Sequence, residues 1–240
     1  MIPLVFVHGF MGGSAQWKLQ KPLGKYRELV CVDLPGFGAN AHLPPINRIE
    51  GISNWVLDEL ASRGVLRFDL LGHSMGGMIV QDMVRMMPKR VRRLILYGTG
   101  AIGVLPGRFE PIESTIQRAR EEGATATARR IAATWFLKQE AATEYPACAE
   151  IAEKAGLRAI LAGLDAMRGW SGEAHLTNIE APTLVLWGDC DRTYAWAQTE
   201  RLWQTLPDCS LAVVPDCAHA VHLERPRLFN QLIAGFSEIE

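Results

Sequence analysis

Short apolar runs alternate with longer, more polar stretches along most of the chain. Six of these runs have the length of β-strands and are rich in leucine or β-branched residues. They are Leu4–Val7, Leu29–Val32, Phe68–Leu71, Leu94–Leu96, Thr183–Trp187 and Leu211–Val214. Because successive positions in each run are apolar, we expect strands that are buried on both faces, as in a parallel sheet covered by helices on each side.

Between the predicted strands, apolar residues recur at helical spacing. One such pattern runs from Ile46 to Leu60, and another runs from Met75 to Met86, where Pro88 ends it. Strands and helices therefore alternate along the chain. This order predicts an α/β fold with a doubly wound, mostly parallel sheet.

The alternation stops between residues 107 and 170. This stretch is rich in alanine and arginine, and glycine and proline divide it into four short predicted helices. We therefore predict a core of residues 1–106 and 171–240, with residues 107–170 inserted between two strands as a helical cap. Ligands of open α/β sheets bind beyond the carboxyl ends of the strands, so the cap is expected to cover the site.

Composition narrows the classes of partner. The 240 residues are 48% hydrophobic, and the formal net charge of −1 provides no basic surface for nucleic acid or an anionic membrane. The chain has no signal-peptide pattern and no apolar run of membrane-spanning length, which favours a cytoplasmic protein. The five cysteines lack metal-type spacing, so neither a metal nor another cofactor is predicted.

The motif Gly72-His73-Ser74-Met75-Gly76 follows the third predicted strand and leads into the second helical pattern. Glycine at both ends lets a strand and a helix pack closely around a sharp turn, which lifts the serine hydroxyl off the sheet. Amides at the start of the helix then point toward that oxygen. We predict that Ser74 is a nucleophile; the alternative is a capping serine in an ordinary glycine-rich turn.

A nucleophilic serine needs a base, and a carboxylate to orient that base, at the same edge of the sheet. His219 follows the last predicted strand through a short loop, and His222 is the alternative three residues later. Asp191 lies in the loop after the fifth predicted strand. We prefer it to Asp189, which directly follows the strand and is placed to cap the turn.

The oxyanion of an acyl-transfer reaction needs backbone N–H donors. The glycine-rich loop at residues 8–13 follows the first predicted strand, and its backbone can approach a substrate closely. That loop lacks the signatures of phosphate and dinucleotide sites. We predict the amides of Phe10 and Met75 as the two donors.

Five strings together resemble the α/β-hydrolase superfamily: FVHGFMGG, DLPGFG, LGHSMGG, LVLWGDCD and CAHAVHLERP. The resemblance covers nearly the whole chain outside residues 107–170. It implies a catalytic triad of Ser74, Asp191 and His219, which agrees with the residues chosen above. Within the superfamily, the short cap resembles that of 3-oxoadipate enol-lactonases, BioH-type carboxylesterases and MenH-like enzymes. One departure is Ala218, which stands where a glycine commonly precedes the catalytic histidine.

These residues and the resemblance predict a serine hydrolase that cleaves a carboxylic ester or lactone through an acyl-enzyme. Two alternatives stay open. A carbon–carbon bond hydrolase of the same fold would use the same triad, and a ligand-binding protein on this scaffold, such as a receptor, would show only residual hydrolysis.

Candidates for the substrate pocket come from the loops and from the cap: His8, Met11, Val221, Arg129, Trp135 and Phe136. The cap carries further arginines, namely Arg108, Arg118, Arg130, Arg158 and Arg168. A guanidinium under the cap could hold a carboxylate of a small-molecule substrate, and arginines on the outer face could dock an acidic acyl-carrier protein. Solvated helix faces are the alternative for each of them.

Overall fold

A computed structural model describes residues 2–25 and 27–238. In this part of the chain, six parallel strands form one sheet in the order β2-β1-β3-β4-β5-β6. The strands are β1 Leu4–Val7, β2 Leu29–Val32, β3 Phe68–His73, β4 Val91–Tyr97, β5 Thr183–Gly188 and β6 Cys209–Val214. The predicted doubly wound parallel sheet is confirmed, and β3, β4, β5 and β6 are longer than predicted.

Alternate residues of each central strand face opposite sides of the sheet. In β1, Val5 and Val7 join one apolar cluster while Leu4 and Phe6 join the other, and all four are fully buried. The prediction of burial on both faces is wrong for β6, where Val213 is 46% exposed. The reason is position, because β6 is an edge strand paired with β5 alone.

Helices cover both faces of the sheet. The α-helices are α1 Ile49–Ser62, α2 Met75–Met86, α3 Ile112–Ala133, α4 Tyr145–Ala152, α5 Leu157–Arg168, α6 Trp196–Thr205, α7 Val221–Glu224 and α8 Pro226–Glu238. Short 3-10 segments occupy Ser14–Lys25, Gly38–Asn40, Pro88–Arg90, Gln139–Ala141 and Glu173–Asn178. Ile46, the first residue of the predicted helical pattern, lies outside α1 but packs on the core.

The two apolar clusters define the layers. The first cluster contains residues of α1, α2 and the 107–170 stretch. The second contains Trp17 and Leu23 from the Ser14–Lys25 segment and Phe229 and Ile233 from α8. Burying each such side chain contributes roughly 1.5–3 kcal/mol to the stability of the fold, so apolar packing on both faces stabilises the sheet.

Residues 107–170 contain α3, α4 and α5 and lie between β4 and β5. Gly123 has a φ of 82° and breaks α3 into two helical pieces. At the base of this stretch, Ile102 and Ser171 form an antiparallel bridge. The Gly103 amide also donates to the Trp170 carbonyl oxygen at 3.0 Å. The outgoing and returning chains are thus tied together where they leave the core.

Candidate active site

Ser74 occupies the turn between β3 and α2. Its φ of 57° and ψ of −121° are uncommon for a residue with a side chain, and such conformations cluster at functional sites. Glycine is required on both sides of the turn. A Cβ atom at Gly72 would lie 2.4 Å from the Gly76 carbonyl oxygen, and one at Gly76 would lie 2.3 Å from the Val7 carbonyl oxygen. The close packing of strand and helix therefore sets the position of Ser74.

Hydrogen bonds from β4 and the loop after it hold this strained backbone. The Ser74 amide donates to the Tyr97 carbonyl oxygen at 3.0 Å. The Thr99 hydroxyl donates to the Ser74 carbonyl oxygen at 2.8 Å, and so does the Gly77 amide, also at 2.8 Å. The conformation of Ser74 is thus determined by its neighbours.

The loops after β5 and β6 bring Asp191 and His219 together. His219 Nδ1 donates to Asp191 Oδ2 at 2.8 Å, and the side chains are only 2% and 0% exposed for His219 and Asp191. Asp191 Oδ1 accepts from the amides of Thr193 at 2.7 Å and Tyr194 at 3.1 Å. Both carboxylate oxygens are therefore engaged. Because Nδ1 carries the donated proton, Nε2 is the nitrogen of His219 that can accept one.

Asp189 and His222, the alternatives to Asp191 and His219, have structural surroundings. Asp189 Oδ1 accepts from the Cys217 amide at 3.4 Å, within the turns at the sheet edge. His222 is buried, its Nδ1 lies 3.0 Å from the Tyr97 hydroxyl, and burial lowers its pKa to about 3. It stays neutral at ordinary pH and supports the loop instead of facing the cavity described below.

Sequence reasoning missed Tyr97, the last residue of β4. Its hydroxyl donates to the His219 carbonyl oxygen at 2.7 Å, and His73 Nε2 lies 3.1 Å from the same oxygen. Burial raises the pKa of Tyr97 well above its ordinary value and lowers that of His73 well below it, so both stay neutral. Two neutral donors therefore fix the backbone of His219. In the sequence, the only sign of this role is that Tyr97 lies at the end of a strand.

The two predicted oxyanion donors belong to the loop after β1 and to the first turn of α2. Met75 is the first residue of α2, so its amide has no acceptor within the helix. Phe10 is in the loop after β1, next to Gly9. A Cβ atom at Gly9 would lie 2.9 Å from Ser74 Cβ, which shows how closely this loop passes the serine.

The backbone conformation at Ala218 does not require the glycine that commonly stands at this position in the family pattern. Positive φ angles among the described non-glycine residues occur at Met11, Ser74, Gln139 and Asp216. Ala218 is fully buried, and its amide donates to Glu224 Oε2 at 2.7 Å. The departure from the pattern is therefore accommodated without strain at this position.

A cavity lies above Ser74 and His219. Its apolar wall comes from the loop after β1 and from the chain that covers the sheet edge: Phe10, Leu105, Phe109, Ile112, Ile131, Trp135 and Met167. Its polar lining includes Arg108 and Tyr194. Of the sequence-predicted pocket candidates, Trp135 lines this cavity.

Three candidates from the loops lie elsewhere. His8 is buried, accepts from the Leu34 amide through Nε2 at 3.0 Å, and has its Nδ1 2.8 Å from the Gly9 carbonyl oxygen. Met11 and Val221 are fully buried in the two apolar clusters. All three face the interior because the loops after β1 and β6 fold back onto the sheet.

Two candidates from the cap region also lie away from the cavity. Phe136 packs in the core, edge-on to Tyr145 at 6.5 Å between ring centroids. Arg129 pairs with Glu153 at 2.5 Å, and its side chain is 58% exposed. Arg108 takes the place in the cavity that was predicted for Arg129.

Tyr194 is the second residue that sequence reasoning missed. Its ring is stacked on that of His219, with centroids 5.7 Å apart and an interplanar angle of 13°. Burial raises its pKa to about 12, and hydrogen bonds with the side chains of Ser74 and Thr99 oppose that rise. Tyr194 follows Asp191 by three residues, so its place in the same loop was a signal.

The described residues contain neither a candidate metal-binding cluster nor a candidate membrane-spanning helix. No three His, Cys, Asp or Glu side chains come together in a way that could hold a metal ion. No helix in this part of the chain has both the length and the apolar character that crossing a bilayer requires.

Comparison with known proteins identifies the class. Residues 4–232 match the model of an alpha/beta hydrolase family, and the chain belongs to that family. It is 29% identical to a pimeloyl-[acyl-carrier protein] methyl ester esterase from Aromatoleum aromaticum, covering 93% of each chain. It is 28% identical to a 2-hydroxy-6-oxo-2,4-heptadienoate hydrolase from Pseudomonas putida, covering 99% of this chain and 90% of that one.

Solved structures agree on the fold. The enol-lactonase from Burkholderia xenovorans LB400 superposes with a TM-score of 0.90 at 21% identity, covering 99% of this chain and 92% of that one. The proteins similar to this chain thus include a methyl ester esterase, an enol-lactonase and a 2-hydroxy-6-oxo-2,4-heptadienoate hydrolase.

Proposed function

We propose that the protein is a serine hydrolase that cleaves a carboxylic ester or lactone through an acyl-enzyme on Ser74. The observation that carries this proposal is the buried hydrogen bond of 2.8 Å between His219 Nδ1 and Asp191, at the sheet edge where Ser74 begins α2. A nucleophile, a base and an orienting carboxylate then share one edge.

In the first step, His219 Nε2 takes the proton of Ser74 as the serine oxygen attacks the substrate carbonyl carbon. The amides of Phe10 and Met75 stabilise the negative oxygen of the tetrahedral intermediate. When the intermediate collapses, the protonated His219 gives its proton to the leaving alkoxide. Asp191 holds the imidazole in the required tautomer and stabilises its cation throughout.

In the second step, water attacks the acyl carbon and His219 takes a proton from that water. Ser74 leaves with this proton as the acid is released. We propose that residues 107–170 act as a cap over this reaction. The apolar side chains of Ile112, Ile131 and Trp135 line the cavity from above, and a dry site strengthens each of these electrostatic interactions.

A small molecule is favoured over a carrier protein as the substrate. Four cap arginines that could dock an acidic partner are already paired with carboxylates of this chain: Arg118, Arg129, Arg130 and Arg168. Docking through these four would have to break those pairs, which leaves Arg120 and Arg158 as the exposed cap arginines outside any salt bridge of the described residues. The enclosed cavity needs no such exchange.

Hydrolysis of p-nitrophenyl acetate and butyrate tests the proposal. We expect turnover by the wild-type chain and a loss of about 10⁴-fold or more in Ser74→Ala, with unchanged circular dichroism. Ser210→Ala, an exposed serine on β6, is the matched control and should keep full activity. A fluorophosphonate probe should label Ser74 in the wild type. A folded protein that turns over neither ester and resists labelling would instead be a binding protein.

A carbon–carbon bond hydrolase is the second candidate, because one relative is named a 2-hydroxy-6-oxo-2,4-heptadienoate hydrolase. The same triad would serve it. Assaying 2-hydroxy-6-oxo-2,4-heptadienoate beside the esters separates the two, and we expect the ester kcat/KM to be the larger. The reverse order would replace the esterase proposal.

A further inference from the structure

The arginines of the cap differ in their surroundings, and Arg120 and Arg158 are exposed at the surface. Arg118, Arg129, Arg130 and Arg168 each lie within salt-bridge distance of a glutamate or aspartate. Arg108 lines the catalytic cavity and, among the described residues, has no carboxylate within 4.0 Å. It is therefore the cap arginine that faces the reaction without a counter-ion.

The surroundings of Arg108 leave much of its guanidinium unused. Nη1 donates to the Glu110 carbonyl oxygen at 2.9 Å and lies 3.4 Å from the Thr115 hydroxyl. The guanidinium carbon lies 4.9 Å from the centroid of the Phe109 ring. In the part of the chain that the structure describes, Nε and Nη2 have no protein acceptor.

Glu110, whose negative charge acts on Arg108, is shared with two other arginines. Both carboxylate oxygens of Glu110 are taken, one by Arg118 at 2.9 Å and the other by Arg130 at 3.0 Å and by the Thr115 hydroxyl at 2.7 Å. Burial lowers the pKa of Arg108. A half-buried cation without an ion-pair partner lowers the stability of the folded protein, and a bound ligand anion would offset that loss.

The position of Arg108 relative to Ser74 limits the length of such a ligand. Ser74, Arg108 and Tyr194 line the same cavity, and the Tyr194 hydroxyl interacts with the Ser74 side chain and with the charge of Arg108. Between them the wall is apolar, formed by Ile112, Ile131 and other side chains of the lining. This arrangement fits a short aliphatic spacer with a scissile carbonyl at one end and an anion at the other.

We propose that Arg108 binds a carboxylate of the substrate, so that the preferred substrates are half-esters of short dicarboxylic acids or lactones that bear a free carboxylate. A carboxylate matches the planar guanidinium through two parallel hydrogen bonds. This inference rests on the proposed ester or lactone hydrolysis and names its substrate class.

The test compares monoethyl glutarate with ethyl glutaramate, in which a carboxamide replaces the carboxylate at nearly the same size. The wild type should prefer the carboxylate by about 10- to 100-fold in kcat/KM, the range expected for a charge-assisted hydrogen-bonded pair. Arg108→Gln should bring this ratio to about one, and Arg108→Lys should keep part of it. Arg129→Gln, an exposed and paired cap arginine, should keep the wild-type ratio.

A binding measurement gives a second readout that does not depend on turnover. In the Ser74→Ala background, calorimetry should detect glutarate, and adding Arg108→Gln should weaken its binding by a similar factor. The inference is overturned if the wild type prefers the carboxamide, or if Arg108→Gln changes neither the ratio nor glutarate binding. Both results leave the hydrolase proposal standing as long as neutral esters are turned over in a Ser74-dependent way. Absence of any Ser74-dependent turnover would overturn the proposed function itself.

Discussion

The carboxyl edge of the sheet and the cap line the same cavity but are held in different ways. At the sheet edge, backbone groups position the functional side chains. Asp191 accepts from two amides, and Ser74 is fixed through its own amide and carbonyl groups. The cap contributes apolar side chains and the unpaired Arg108, and its α5 packs on Phe10 at Gly163.

This difference indicates a division of roles. Backbone hydrogen bonds belong to the fold, so a group that they hold keeps its geometry when the substrate changes. Side chains on a cap can change without disturbing that geometry. We therefore expect substitutions at the sheet edge to lower kcat, and substitutions in the cap to change KM and the choice of substrate.

The largest effect is expected at Asp191. Asp191→Asn should lower kcat by about 10⁴-fold, because the amide no longer selects the His219 tautomer with a free Nε2. Asp189→Asn, two residues away in the same loop, should change kcat by less than about threefold, since Asp189 makes only a long hydrogen bond to a turn amide. Steady-state kinetics with p-nitrophenyl butyrate measure both. A reversed ranking would show that the acid has been assigned to the wrong residue.

Acid should destabilise the sheet edge. In the unfolded chain His222 titrates near its ordinary pKa of 6.5, whereas in the folded chain burial lowers its pKa to about 3. The unfolded state therefore binds the extra proton first, and stability present above pH 6.5 is lost as the pH falls toward 3. The loss for this one histidine is about 2 kcal/mol between pH 6.5 and 5.

Urea unfolding at a series of pH values measures this dependence. Burial also lowers the pKa of His8 and His73, which adds in the same direction. His222→Asn should give a shallower dependence than the wild type if it folds. A wild-type free energy of unfolding that stays constant from pH 7 to 5 would contradict the buried, neutral state of all three histidines.

Tyr97→Phe tests whether the backbone of His219 needs its hydroxyl donor. Removing the hydroxyl leaves the His219 carbonyl oxygen with His73 alone and should cost about 1 to 1.5 kcal/mol of stability. It should also lower kcat by about tenfold with little change in KM, as expected for a residue that positions the base. Unfolding and kinetics on the same sample separate the two effects. Wild-type kcat with reduced stability would limit Tyr97 to a structural role.

The smallest effect tests the contact between cap and core. A Cβ atom at Gly163 would lie 2.7 Å from Phe10 Cε2, so Gly163→Ala should displace the ring, cost about 1 kcal/mol or more, and raise KM more than it lowers kcat. The matched control is Gly235→Ala in α8, where a Cβ atom meets nothing within 4 Å. That change should stabilise by about 0.5–1 kcal/mol. Equal effects of the two substitutions on KM would show that α5 does not shape the site.

Local patterns predicted most of the fold and the proposed triad. Each of the six strands contains a short run rich in apolar residues, and the turn at Ser74 is marked by two glycines that no larger residue could replace. Asp191 and His219 lie in the loops that follow β5 and β6, and parallel strands end at one edge of the sheet, so chain order alone brings these residues near Ser74.

Other features depended on where neighbouring elements pack. The exposure of β6 follows from its place at the sheet edge, which its apolar sequence does not reveal. Tyr97 and Tyr194 acquire their roles from rings and carbonyl groups contributed by other loops.

The cap shows most clearly which features cannot be predicted from the sequence alone. The sequence does not distinguish the roles of Arg108 and Arg129. In the structure Arg108 lines the cavity, whereas Arg129 pairs with Glu153 at the surface. The sequence by itself determined the strands, the turn at Ser74 and the residues that follow the strand ends, because these depend on local periodicity and on backbone sterics. Only the tertiary structure decided which side chains of residues 107–170 face the cavity, because Arg108 precedes α3 whereas Arg129 lies on it, and the direction of each side chain depends on how its segment packs against the rest of the molecule.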